Sequence, residues 1–187
     1  MEYMAELVKC KACGFTIEKG KLGELCPACG VPKSAFEEYE PKISESRRKI
    51  LDFHIHPVLV HFPQAFSISL LFFILINLFF PNFLRTEILN SIYILSLLLP
   101  FVVLASILGG LLDGKIRFKK LNTPHLKKKI IVGIIFLILS WIQFIIVLSI
   151  PVDAVLIYLL FSNLGGVLCG GYLGLIGGTL LEAKLPN

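Results

Sequence analysis

The run FPQAFSISLLFFILINLFF, residues 62–80, carries no charged side chain and stops at Pro81. A helix needs about 20 apolar residues to cross the hydrocarbon core of a bilayer, so the run reads as a transmembrane span. Three more stretches meet the same requirement. Residues 88–112 are uncharged with Pro100 near their middle, and residues 130–150 have Gln143 as their most polar side chain and end at Pro151. Residues 154–181 are uncharged and hold seven glycines. Every break between these stretches contains a proline or a charge, which sets the number of spans at four. With their first helical turns added, the spans lie at about 58–80, 88–112, 126–150 and 154–181, within a membrane body of residues 54–187.

Composition agrees with that reading. Of the 187 residues, 56% are hydrophobic and 17% charged. The mean hydropathy of +0.81 is well above that of an ordinary soluble domain. Residues 1–52 hold 9 Lys/Arg against 9 Asp/Glu, whereas residues 53–187 hold 9 basic and 4 acidic, so the net charge of +5 belongs entirely to the apolar part. This excludes a single soluble core, a disordered chain and a secreted disulfide miniprotein. The expected fold class is an all-α membrane protein: a four-helix transmembrane bundle, preceded by a small metal-binding head at 1–35 and a linker at 36–53.

Residues 113–129 contain Lys115, Arg117, Lys119, Lys120, Lys127, Lys128 and Lys129, and Arg47, Arg48 and Lys49 precede the first span. The loops at 81–87 and 151–153 hold Arg85 alone. The positive-inside rule then places the N-terminus, the head, the 113–129 loop and the C-terminus in the cytoplasm of a multi-pass cell-membrane protein. Residues 1–50 contain no apolar run with a cleavage site, so no signal peptide is read there. The basic loop has no interleaved aromatics apart from Phe118, which makes it a topology determinant rather than a nucleic-acid surface. In the fourth span Gly166, Gly170, Gly174 and Gly178 recur at every fourth residue and smooth one helix face. Such a face suits close helix contact in lipid, including contact between two copies in a homodimer, or a flat cofactor. Cys169 within it reads as a small packing residue.

The head contains Cys10-Lys-Ala-Cys13-Gly14 and Cys26-Pro27-Ala-Cys29-Gly30. Two such turns supply four thiolates to one tetrahedral metal ion. Gly14 and Gly30 let backbone amides turn toward the sulfurs, which lowers the cost of gathering negative charge. A disulfide does not suit a reducing compartment. A thioredoxin-like pair would need a βαβ setting that these residues lack. Iron and zinc both suit four thiolates.

The stretch from Lys9 to Phe15, followed by Cys26-Pro27-Ala-Cys29-Gly30-Val-Pro32-Lys33-Ser34-Ala-Phe36, resembles the rubredoxin family, specifically the short rubredoxin-like module of rubrerythrins. The resemblance covers about residues 8–40 and implies one iron that shuttles a single electron. The spacer is short and the tryptophan of full-length rubredoxins is missing, so a structural zinc ribbon is the alternative.

All four histidines fall at one membrane face: His54, His56, His61 and His125. In His56-Pro57 the proline reads as the first helical residue and His56 as its cap; His125 likewise follows Asn122-Thr123-Pro124. Helix N-termini favour neutral imidazole, the metal-binding form. A residue able to ionise at the entry of a span is a functional hypothesis, and the plain reading is a solvated interfacial histidine, as for His54. Asp113 closes the second span against the helix dipole and calls for a partner, either a basic residue of the 115–120 run or a ligand histidine that it orients.

The body also resembles a family of small four-helix prokaryotic membrane proteins opening on H-P-x-x-V-H-F-P, here His56-Pro57-Val-Leu-Val60-His61-Phe62-Pro63. The architecture is similar to membrane b-type cytochromes, which implies a haem b with His61 and His125 as axial ligands and His56 and Asp113 as additional or supporting groups. The two resemblances together imply an electron relay. A soluble donor would fill the iron centre, the electron would pass to haem b, and the acceptor would be a quinone or a small oxidant such as oxygen, superoxide or nitric oxide. Two other readings stay open. One is a non-haem iron, copper or zinc site on the histidines and Asp113, in an oxidoreductase or sensor. The other is a zinc-ribbon membrane scaffold. No P-loop, nucleophile elbow or Rossmann fingerprint is present.

Overall fold

The computed structural model describes residues 6–40, 53, 55–118 and 124–181. His54, most of the linker, residues 119–123 of the basic loop and the last residues of the chain lie outside them. Two compact units emerge, a head and a helical body, and each is described by itself.

In the head, β1 (Leu7–Cys10) is the middle strand of a three-stranded sheet, flanked by β2 (Thr16–Glu18) and β3 (Phe36–Glu38). Both pairings are antiparallel, with Val8 opposite Ile17 on one side and Glu38 on the other. The linker expected from residue 36 therefore starts later. Phe36–Glu38 looks polar in sequence, yet it closes the sheet by pairing with β1, and Cys10 lies opposite Phe36. Lys19, next to β2, reaches Glu6 beside the middle strand at 2.8 Å and Glu38 of β3 at 3.6 Å. Among the described residues of the head, the buried hydrophobic side chains are Val8, Cys10, Leu22 and Cys26. A core this small cannot hold a fold of this size on hydrophobic burial alone.

The body contains α1 (Ile55–Phe79), α2 (Arg85–Phe118), α3 (Pro124–Ser149) and α4 (Leu156–Leu181). All four are long and apolar enough to span a membrane. The helix ends follow the breakers: α1 stops before Pro81 and α3 before Pro151, while α3 opens on Pro124. Two expectations are corrected. α1 begins at Ile55, so His56 lies inside its first turn rather than capping it, and Pro57 still falls where no N–H is needed. α2 runs past Asp113 to Phe118, because charged residues beyond the hydrocarbon can continue a helix that hydropathy marks as finished.

Polarity is turned inward. Phe72, Ile94, Ile131, Ile145, Phe161 and Leu168 face outward, whereas Ser67, Asn77, Ser96, Ser106, Ser140, Gln143, Ser162 and Asn163 are buried alongside Leu70, Ile74, Ile92 and Leu99. In hydrocarbon a polar group has no water to turn to, so it must bond within the protein. The hydrogen bonds so formed define the ring of helices. Asn163 of α4 donates to the Ser67 carbonyl of α1 at 2.8 Å, and Gln64 of α1 donates to the Gly170 carbonyl at 3.3 Å. Gln143 of α3 donates to Ser162 of α4 at 3.2 Å. Phe101 of α2 meets Trp141 and Phe144 of α3 edge to face.

The glycine face of α4 is used within the bundle. A Cβ at Gly166 would stand 2.8 Å from the Phe136 ring, and Gly170 and Gly174 face Gln64. The expected groove is thus largely filled by the chain's own side chains. Gly109 and Gly110 of α2 act similarly, since Cβ atoms there would meet Leu59 and His56 at 2.9 Å each.

Pro63, buried inside α1, lacks the N–H that would bond the Leu59 carbonyl one turn back. The Ser106 hydroxyl of α2 lies 2.8 Å from that carbonyl and 2.8 Å from its own Val102 carbonyl. Ser106→Ala is expected to cost about 1 kcal/mol of bundle stability. Pro63→Ala, by restoring the missing N–H, is expected to cancel most of that loss in the double variant. Detergent unfolding of the four proteins of this cycle measures the coupling, and additive effects would contradict the assignment.

Candidate metal centre

Each cysteine pair sits in a hairpin of the same build. The Cys10 N–H donates to the Phe15 carbonyl at 2.8 Å and Gly14 N–H to the Cys10 carbonyl at 2.9 Å. In the second hairpin Cys26 N–H donates to Val31 at 2.8 Å and Gly30 N–H to Cys26 at 2.9 Å. Gly14 and Gly30 both take φ of +76°, the left-handed conformation that glycine adopts without penalty. The hairpins face one another. Cys10 Sγ lies 3.8 Å from Cys29 Sγ, and Cys13 Sγ lies 3.8 Å from Cys26 Sγ.

All four sulfurs lie within 4.8 Å of one another. A tetrahedral ion with metal–sulfur bonds of about 2.3 Å separates its sulfurs by about 3.8 Å, so the arrangement fits a four-thiolate metal site. The same geometry serves iron or zinc. Cys10 and Cys26 are buried, Cys13 is half-buried and Cys29 reaches the surface, so the centre is closed on one side and open on the other.

The electrostatics of the sulfurs differ. Burial raises the Cys26 thiol, but the amides of Ala28 and Cys29 and the sulfurs of Cys29 and Cys13 outweigh it and bring it down to about 7. Cys29 gains from the Val31 amide, but hydrogen bonds with Cys13, Cys26 and Cys10, together with burial, push it up to about 12.

The histidines are placed differently. Among the described residues the four cysteines are the one group of three or more Cys, His, Asp or Glu whose ligand atoms converge. His56, His61, His125 and Asp113 form no second group of that kind among those residues. The His56 ring packs on Gly110. His61 is exposed and lies across α1 from the buried stripe of Pro63, Ser67, Leu70 and Ile74, and His125 is exposed in the first turn of α3. Asp113 attracts Lys129 of α3, and the Lys129 ammonium reaches the backbone face of α4 at Gly177. Sequence reading did not single out Gln64, Ser106 or Asn163. Their signal was a polar side chain in an uncharged span, and what each one bonds depends on helix phase.

Two outcomes test the site. Gly30→Ala meets no side-chain obstruction. The left-handed backbone alone costs an L-residue roughly 1–2 kcal/mol, so metal affinity is expected to fall by about tenfold in a chelator competition. Gly23→Ala, where the backbone is not left-handed, is the control expected to leave affinity unchanged. Loading also requires thiolates, and with Cys29 held near 12 its proton must leave as metal enters. Apparent affinity is therefore expected to rise at least about tenfold per pH unit between pH 7 and 9 and to drop as pH falls. A flat profile would count against the thiolate site.

No curated protein and no solved structure matches the chain. Residues 9–37 match the family model described as rubrerythrin, rubredoxin-like domain, and they contain all four converging cysteines. The chain carries a rubredoxin-like metal-binding domain followed by four helices long and apolar enough to cross a membrane.

Proposed function

We propose that this chain is a membrane-bound single-electron carrier, with a rubredoxin-type iron centre on a four-span anchor. The observation that carries the reading is the convergence of the four Sγ atoms in matched hairpins. Iron in four thiolates supplies a one-electron couple. The protein's own part is to fix that environment. Gly14 and Gly30 shape the hairpins, the amides of Ala28, Cys29 and Val31 stabilise thiolate, and burial of Cys10 and Cys26 keeps water from one side. Cys29 at the surface gives a soluble donor a direct approach to a ligand sulfur.

The basic 113–129 segment and Arg47-Arg48-Lys49 support a cytoplasmic head and cytoplasmic termini. The acceptor belongs to the same side, where a membrane quinone or a small oxidant would make the protein an oxidoreductase. The haem b expected on His61 and His125 draws no support from their placement, since both rings are exposed and His61 lies opposite the buried stripe of its helix. The electron-transfer reading does not depend on it.

The test is an absorption spectrum and metal analysis of detergent-purified full-length protein from iron- and haem-supplemented cells. One iron per chain and thiolate–iron bands that bleach with dithionite are the expected result. Cys26→Ala is expected to abolish the bands, and Cys169→Ala, in α4, to leave them unchanged. A colourless protein with one zinc would replace the carrier by a zinc-ribbon scaffold, and a Soret band would restore the haem.

A further inference from the structure

A serine in a membrane helix ordinarily returns its hydroxyl to a carbonyl one turn back. Ser91, Ser106 and Ser149 do so toward Glu87, Val102 and Ile145, and Ser140 does so toward Leu137. Ser67 and Ser96 do not. Each is 1% exposed, and neither hydroxyl has a hydrogen-bond partner among the described residues. Asn163, also 1% exposed, spends its Nδ2 on the Ser67 carbonyl at 2.8 Å, and its Oδ1 has none among the described residues.

Helix rise counted from two interhelical bonds puts these three atoms at nearly one depth. Ser106 bonds Leu59, which sets the register of antiparallel α1 and α2. Ser96 lies about 15 Å further along α2, and so comes level with the turn of α1 that follows Ser67. Ser67 and Asn163 are already in contact. Two buried hydroxyls and one buried amide oxygen therefore fall within about one helical turn, or roughly 5 Å, of depth. The Gln143–Ser162 bond lies next to Asn163, and the fully buried Leu70, Leu99 and Leu159 pack around the same level.

We propose that this level of the bundle binds ordered water, held by the Ser67 and Ser96 hydroxyls and by Asn163 Oδ1. Water both donates and accepts, so one or two molecules can give to the amide oxygen and exchange bonds with both hydroxyls. Two to four polar partners are what a buried water requires. The interior residues named at this level are uncharged, which suits a neutral guest rather than an ion. Without one, three buried polar atoms would stay unpaired in hydrocarbon, where each is costly.

Isotope-labelled full-length protein in nanodiscs tests this by water–protein NMR. The side-chain amide protons of Asn163 are expected to show a dipolar cross-peak to water that weakens in Ser67→Ala. Ser67→Ala and Ser96→Ala are each expected to lower the thermal midpoint, because the water loses a partner. A folded wild-type protein with no water cross-peak at Asn163 would overturn the proposal. So would a rise in midpoint for either variant, the sign expected when a hydroxyl is simply left unpaired.

Discussion

Hydrocarbon offers a backbone or side-chain dipole no substitute partner, and the body of this protein is arranged around that constraint. Its spans are apolar toward lipid and carry serines, asparagines and glutamines inside, so the interior is the more polar side. Hydrophobic burial does little to draw helices together in lipid; close packing and hydrogen bonds do the joining. Asn163 and Gln64 tie α4 to α1, Gln143 ties α3 to α4, and Ser106 ties α2 to α1. The glycines fit the same logic. At Gly166 the absent side chain is what admits the Phe136 ring, whereas Gly170 and Gly174 leave Gln64 at ordinary contact distance.

The head faces the opposite problem. It is polar, is too small for a substantial core, and has two of its four cysteines among its buried residues. A metal that binds the folded arrangement and not the unfolded chain supplies folding free energy directly. The sheet is then a frame that brings one hairpin to the other: Cys10 is the last residue of β1, and its opposite, Phe36, belongs to the strand that follows the second hairpin.

Much of this was legible in the residues because the chemistry involved is local. Four thiolates around an ion demand close pairs, and a pair with its following glycine is one hairpin. A charge in hydrocarbon is costly enough that its absence over twenty residues marks a span. Contacts between distant residues were harder to read. Phe36–Glu38 became a strand through its pairing with β1, and nothing in its own three residues announces it. The spacing of His61 gave its depth but not its face, which depends on the phase of a stripe that Pro63, Ser67 and Leu70 define only once α1 is packed. Asn163 and Gln64 could be seen as unusual, but their carbonyl partners are about a hundred residues away in the chain.

Pro63 has a consequence for how the protein is made. If α1 entered the bilayer by itself it would carry the Leu59 carbonyl bare, and the group that covers it, Ser106, is synthesised more than forty residues later. α1 is therefore best integrated as one arm of a hairpin with α2, while the translocon still shelters it. Closure of the ring must wait longer, because the α1 face that receives Asn163 has no cover until the fourth span arrives. The fourth of these helices is the one that completes α1.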